Sequence, residues 1–466
     1  MLAVTSPGFL VFAALLACVW YKTRPARRWR WMLAASILFY LSLDWQGFFV
    51  LLFSSLLVWA CAFRAQDKRW FGAGLAAALA PLLLLKYYTA AAGGLQQMLG
   101  LRIWQPELLQ PLGIGYFTLE LVSYLTDVRR RTIEPQRSFG RVLCYASFFL
   151  SITQGPFNRY GEWMPQLEAP TVWDSHRAWR GAIRCWWGYF KKVAVADRAA
   201  IVVSAAFADP AAFDRSQLLL ATVLYSFQLY ADFSGYTDIV LGVGEILGLS
   251  LPENFRRPFL AASVKELWSR WHISLSRWLR DYVYIPLGGS RCRPARRDAN
   301  LVVTFLVSGL WHGAVLTYLL WGFLHGALQA LENHLPWRNK ITKGRARWLG
   351  IAGTFCIFVF TFTIFRASSL DNALQYFQGI LFQGGWDAIS NYWELGLTTR
   401  QDQILLFAGI AVLILVDLLQ ERGVRLLDRL AAAPRAVRWI AYEGMIFSFL
   451  YMGQFLGGGG FLYARY

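Results

Sequence analysis

Apolar runs of roughly 20 residues, each long enough to cross a ~30 Å hydrocarbon layer, recur along this sequence from Phe9 to Phe455. Inside lipid there is no water to satisfy backbone N–H and C=O groups, so helices must satisfy the backbone within each run. Composition agrees. Of 466 residues, 56% are hydrophobic, 17% aromatic and 16% charged, against about 25% charged in a typical soluble domain. The expected fold class is all-α, a polytopic integral membrane protein with the lipid bilayer as its main solvent.

A net charge of +18 could suggest a nucleic-acid partner, but the Lys and Arg residues punctuate apolar runs and form no stripe on a soluble face. Membrane orientation accounts for them, and no nucleic acid is expected. Lys22, Arg24, Arg27, Arg28 and Arg30 follow the first span, Arg64, Lys68 and Arg69 the third, and Arg129, Arg130 and Arg131 the fifth. The loops between carry almost no positive charge, so the alternation puts the N-terminus outside and the three basic loops in the cytoplasm. Phe9–Trp20 lacks a basic segment before it and a small-residue cleavage pattern after it, and reads as a retained span. The six cysteines lie far apart with no C-x-x-C spacing, which supports neither a metal site nor a disulfide framework.

Further runs occupy Val142–Ile152, Trp186–Ala206, Leu218–Leu249, Leu301–Leu331, Gly350–Phe365, Ile404–Leu419 and Ile440–Leu456, so ten to twelve crossings are expected. Leu301–Leu331 would extend about 45 Å as one helix, and Leu218–Leu249 is of similar length. A tilt or break is expected in each, with Gly309 and Gly313 the natural places in the later run. No repeat or long polar stretch divides the chain, so residues 1–466 read as one membrane domain.

One segment is not an ordinary span. Ser263–Pro286, SVKELWSRWHISLSRWLRDYVYIP, has apolar residues at Val264, Leu267, Trp268, Trp271, Leu275, Trp278, Leu279 and Tyr282, helical spacing over five turns. The other face holds Lys265, Glu266, Arg270, Arg277, Arg280 and Asp281, too many charges for lipid. A helix of this kind lies along the interface or dips into the protein.

The stretch ENFRRPFLAASVKELWSRWHISLSRWLRDYVYIPLGGSR resembles the signature region of the membrane-bound O-acyltransferases, in particular their bacterial alginate O-acetylation branch. YSFQLYADFSGYTDIVLGVGEILG (Tyr225–Gly248) is similar to the family's preceding segment, and SGLWHGA (Ser308–Ala314) to its catalytic-histidine segment. The resemblance is strongest over Leu218–Leu331, the signature core, is fainter at QGPFNRY (Gln154–Tyr160), and returns at the terminal FLYARY (461–466). It implies a ring of transmembrane, re-entrant and interfacial helices around a central cavity that holds histidine.

Of the five histidines, His312 lies deep in an apolar run between Trp311 and Gly313. A charged imidazole is costly there, which favours the neutral ring a general base needs. The residues alone leave catalysis and a hydrogen-bonded packing role equally open; the resemblance implies catalysis. His272 borders the interfacial stripe near Ser274 and Ser276, and could orient a donor or satisfy a carbonyl. The resemblance implies a supporting role in the active site. His325 and His334 give no same-face pair with His312 and H-E-x-x-H is absent, so no metal is expected. Asp232 and Asp238, inside an apolar run, read as a polar knot with nearby hydroxyls or an arginine in preference to catalysis. Gly242, Gly244 and Gly248 read as a helix contact, not a nucleotide loop, and Arg159 as an anchor. At the terminus the resemblance implies that Tyr463 relays the acyl group. The alternative is an aromatic interface anchor, and Tyr466 stands where the family motif has Phe.

The expected function is transfer of an acyl group, first of all acetyl, to a hydroxyl of a cell-envelope polysaccharide or of an extracytoplasmic acyltransferase partner. No bound cofactor is expected. The donor is a substrate, a cytoplasmic acyl thioester such as acetyl-CoA or a loaded acyl carrier protein, and the implied location is the bacterial cytoplasmic (inner) membrane. D-alanyl transfer to teichoic acid is the alternative acyl chemistry. A secondary transporter is the alternative class, against which stands the absence of paired halves.

Overall fold

The computed structural model describes residues 2–100, 102–335, 344–385 and 397–453. Within these the secondary structure is helical, with an isolated bridge between Phe255 and Trp271 and no strand. Four helices among the described residues are long and apolar enough to cross a membrane: Trp45–Ala62, Lys68–Tyr87, Gly344–Arg366 and Arg400–Glu421. Pro25–Leu43 and Pro294–His312, of similar length, and the longer Arg215–Leu247 carry buried polar side chains.

The N-terminal third is a bundle of α1 (Pro7–Lys22), α2 (Pro25–Leu43), α3 (Trp45–Ala62), α4 (Lys68–Pro81), α5 (Tyr88–Leu99) and α6 (Ile114–Arg129). Ser6 caps α1 by accepting the N–H of Phe9 at 3.2 Å, with Pro7 as the first helical residue, where a missing N–H costs nothing. Pro81 sits inside the rod formed by α4 and α5, and the chain answers the lost hydrogen bond with a π-helical turn at Leu82–Tyr87. The three basic loops gather on one face. Arg129 donates to the carbonyl of Ala65 at 2.6 Å, the Arg141 guanidinium covers the Trp29 ring at 5.5 Å, and Trp59 Nε1 donates to Gln136 at 2.7 Å.

The run Val142–Ile152 is not a helical span. After α7 (Phe139–Ala146) the chain passes through buried turns and extended backbone to Asn158, before α8 (Tyr160–Glu168). Irregular backbone at membrane depth is tolerated where protein surrounds it. Two glycines make the turn possible: a Cβ on Gly155 would stand 2.1 Å from the carbonyl oxygen of Leu150, and one on Gly113, where φ is +67°, 2.0 Å from that of Ile152.

The two over-long runs resolve differently. Residues Arg215–Leu247 form a single helix, α11, of 33 residues, roughly 50 Å long. Asp214 and Gln217 form a capping box at its start, and Gly248 ends it at φ 77°. It crosses α9 (Ser175–Phe190) at backbone contact, since a Cβ on Gly188 would lie 2.4 Å from the carbonyl of Gly235, and one on Gly242 2.4 Å from that of Gly181. Gly242 is therefore a helix contact as expected, whereas Gly248 is a cap. A π-helical turn, Lys191–Ala196, joins α9 to α10 (Asp197–Ala208). Leu301–Leu331 does break, at Gly313, into a hairpin of α14 (Pro294–His312) and α15 (Leu316–Glu332). Its arms close where Gly309 faces the carbonyl of Tyr318 and Gly322 that of Phe305.

The signature segment is also broken. The spacing predicts one helix, but the chain forms α12 (Val264–Arg270), an extended Trp271 and a left-handed His272, then α13 (Ile273–Leu279) and a π-helical turn at Arg280–Tyr284. Apolar positions of both halves point inward as expected. Three of the charged ones pair with other elements: Arg270 with Glu421 at 2.9 Å, Glu266 with Arg347 at 3.0 Å, and Arg277 with Glu162 at 2.5 Å.

Candidate active site

His312 is the last residue of α14, at the apex of the hairpin, and is 4% exposed. Its ring meets those of Trp311 at 4.8 Å, Phe365 at 5.0 Å and Trp321 at 5.5 Å, each near edge-on. Trp311 is itself held from two sides. Its indole N–H donates to the carbonyl of Gly115 at 3.0 Å, and its own carbonyl accepts from Lys86 Nζ at 3.1 Å.

His272 is 1% exposed and stands between the two short helices with φ 45° and ψ 51°. A non-glycine residue in that region costs about 1 kcal/mol or more, and such strain persists only where the surroundings impose it. Here they do. Asn254 accepts the N–H and Oγ of Ser274 at 3.2 and 2.6 Å, its carbonyl takes the N–H of Ile273 at 3.0 Å, and Ser274 Oγ accepts the N–H of Phe157 at 2.9 Å. The imidazole packs on Phe233 at 4.8 Å, Phe157 at 6.0 Å and Trp311 at 6.3 Å, and Tyr116 stacks on Phe157 at 4.7 Å. Residues 40 positions apart in the chain, His272 and His312, thus both meet the ring of one tryptophan.

A cavity of about 1060 Å³ approaches this cluster from the face of the basic loops. Arg177, one of its lining residues, donates to the hydroxyl of Tyr21 at the end of α1. Deeper in, Phe255 lines the cavity and meets Phe233, which meets His272. Its basic walls include Arg180, Arg184, Lys191, Arg256 and Arg257. Some of that charge is neutralised: Asp238 binds Lys191 at 2.6 Å and Arg184 at 3.0 Å, and Arg257 binds Glu421 at 2.8 Å. Arg177 and Arg256 pair with no carboxylate among the described residues, so the walls keep a positive excess suited to phosphate oxygens.

The sequence-predicted residues divide accordingly. His312 and His272 come together. Asp232 and Asp238 form a polar knot, with lysine in place of hydroxyls as the main partner: Asp232 with Lys192 at 2.8 Å and Asp238 with Lys191. Arg159 anchors, binding Asp281 at 3.0 Å. Tyr463 lies outside the described residues. Sequence reasoning missed Lys86 and Asn254, and weighed His325 only as a metal ligand. His325 is fully buried one aromatic ring beyond His312, with Trp321 between them, and accepts from Trp268 Nε1 at 3.2 Å. An ionisable residue inside an apolar run was a usable signal for Lys86; Asn254, in a loop, carried none.

The family model for the membrane-bound O-acyltransferases matches residues 136–370, which hold both histidines, the broken signature segment and the hairpin. The chain belongs to this family. The acyltransferase is 33% identical over 407 residues to a probable alginate O-acetylase of Azotobacter vinelandii, covering 84% of this chain and 80% of that protein. It is 31% identical over 422 residues to the peptidoglycan O-acetyltransferase of Helicobacter pylori, covering 81% and 78%. To the teichoic acid D-alanyltransferase of Bacillus subtilis it is 31% identical over 283 residues, covering 56% and 69%. The acyltransferase is a membrane protein with apolar helices.

Proposed function

We propose that this enzyme moves an acetyl group from a cytoplasmic thioester across the inner membrane to a hydroxyl on an envelope polysaccharide, or on a partner enzyme that serves one. The observation that carries the reading is the pair of buried histidines that both meet the Trp311 ring, with a basic cavity whose Phe255 wall is linked to His272 through Phe233. In this reading that face is cytoplasmic, the N-terminus is outside and the chain crosses the membrane ten to twelve times. Acetyl-CoA and a loaded acyl carrier protein share a phosphorylated pantetheine arm, which suits arginine walls. His312 removes the acceptor's hydroxyl proton, and His272 supports the donor end of the path. Acetyl is preferred over D-alanyl because the acetylating relatives match over more of this chain.

The test is purified enzyme in lipid nanodiscs with labelled acetyl-CoA and de-acetylated alginate, reading released thiol and labelled polymer or protein. Labelled product with stoichiometric thiol release supports the reading. Activity only with a D-alanyl carrier thioester would move the assignment to the alternative acyl group, and solute movement without acyl transfer would return it to a transporter.

A further inference from the structure

The last turn of α14 leaves carbonyls that the helix cannot satisfy itself, and two of them belong to Leu310 and Trp311, the residues just before His312. Both are met by consecutive side chains of one π-helical turn: the Tyr87 hydroxyl donates to Leu310, and Lys86 Nζ donates to Trp311 at 3.1 Å. Residues more than 220 positions apart are thereby tied together at the apex of the hairpin. The π-turn follows Pro81, which removes a helical hydrogen bond and lets the backbone rewind so that both neighbours can reach α14. Turns of this type are frequent at functional sites.

A neutral hydroxyl satisfies Leu310, so satisfaction of a carbonyl does not by itself account for an ammonium group at Trp311. Partial burial of a cation in an apolar bundle is costly. In return, a charge-assisted hydrogen bond is roughly twice as strong as a neutral one. We infer that Lys86 is a positioning residue for the acyl-transfer reaction: it fixes the Trp311 carbonyl, and through it the direction in which His312 leaves the end of α14. Trp311 is then clamped by Lys86 at its carbonyl and by Gly115 at its indole, which leaves the next residue little freedom to turn away from a reacting hydroxyl. Misplacing a general base by about 1 Å can cost on the order of 100-fold in rate.

The inference rests on His312 as the base, so the experiment includes both residues. Full-length enzyme in nanodiscs is assayed for thiol release from acetyl-CoA with de-acetylated alginate as acceptor, in wild type, His312→Ala, Lys86→Met and Lys86→Arg. Lys86→Met is expected to lower kcat at least tenfold while the KM for acetyl-CoA stays within twofold, and Lys86→Arg, which keeps the charge and a donor, is expected to recover most of the loss. Lys86→Gln replaces Lys86→Met if the latter lacks a wild-type thermal transition. Unchanged kcat in the Met or Gln variant, a loss confined to KM, or an Arg variant no better than Met would each overturn the inference. An active His312→Ala enzyme would instead remove the base assignment on which it stands.

Discussion

Trp311 donates its indole N–H to the carbonyl of Gly115 at 3.0 Å, so the residue preceding His312 is seated on the first turn of α6. The approach depends on glycine, because a Cβ at position 115 would lie 2.9 Å from that indole nitrogen. Gly115→Ala is expected to push the indole aside, to destabilise the protein by about 1–3 kcal/mol as overpacked sites do, and to lower turnover beyond that. Trp311→Phe, which keeps a ring and deletes the N–H, removes a second hydrogen bond from a carbonyl that α6 itself already satisfies, and should cost about 0.5–1.5 kcal/mol. Thermal unfolding beside initial rates checks both, and a Gly115→Ala enzyme with wild-type turnover would show that the seat does not matter to His312.

His312→Ala should stop acyl transfer without unfolding the chain, a loss of about 10²–10⁴-fold for a general base. His272→Ala should be partial, since its ring is one tryptophan removed from His312 and its left-handed backbone is set by Asn254 and Ser274. Rates of thiol release, normalised to folded protein, measure both. A folded His312→Ala enzyme retaining more than a few per cent of activity contradicts the assignment.

How much of this site could be read from the chain depends on the range of the interactions that form it. His312 and the break at Gly313 were legible because a polar ring and small residues inside an apolar run are local anomalies. The paired charges of Asp232 and Asp238 were half legible, with Lys191 and Lys192 visible as cations in another apolar run but not assignable to them. The break at His272 was not legible. The spacing from Val264 to Tyr282 is helical throughout, and it is the distant loop residues Asn254 and Phe157 that turn the backbone left-handed. Val142–Ile152 failed for a similar reason, since hydrophobicity reports burial and does not distinguish a span from a buried turn.

Lys192 binds both Asp232 at 2.8 Å and Asp197 at 2.9 Å, and the two members of the inner pair, Lys192 and Asp232, are 2% and 1% exposed. Lys192→Met removes the cation from one buried and one half-buried carboxylate, which should destabilise the protein by about 3–5 kcal/mol. Adding Asp232→Asn should recover part of the loss, because the uncompensated charge is then gone. Thermal unfolding in detergent of the single and double variants checks this, and a double variant less stable than Lys192→Met would show that Asp232 acts independently of the lysine.

The orientation of the chain can be tested at the first basic loop. Arg28 is unsuitable because it is buried and donates to Trp20, Thr23, Ala169 and Thr171, whereas its neighbour Arg27 is exposed. In a background without native cysteines, Arg27→Cys should react with an impermeant thiol reagent only after cells are opened. Labelling from outside intact cells would reverse the topology and the side from which the donor enters.

Tyr463 gives the sharpest separation of two readings of one residue, and it lies outside the described residues. Before it stand four glycines, Gly457–Gly460, a residue type with little backbone preference. If Tyr463 is an interface anchor, its ring matters and its hydroxyl does not. If it relays the acyl group, His312 takes the proton of the phenol, the phenolic oxygen attacks the thioester carbonyl, the thiol leaves with a proton, and the acyl ester then passes to the acceptor hydroxyl, which restores the phenol. Tyr463→Phe keeps the ring and deletes only the nucleophile. The relay predicts almost no transfer by this variant and an acyl adduct on the C-terminal peptide of wild-type enzyme incubated with donor alone, read by mass spectrometry. Near-normal transfer by Tyr463→Phe, or an active enzyme that never carries the adduct even with acceptor withheld, leaves the residue as an anchor and requires that His312 act directly on the acceptor hydroxyl.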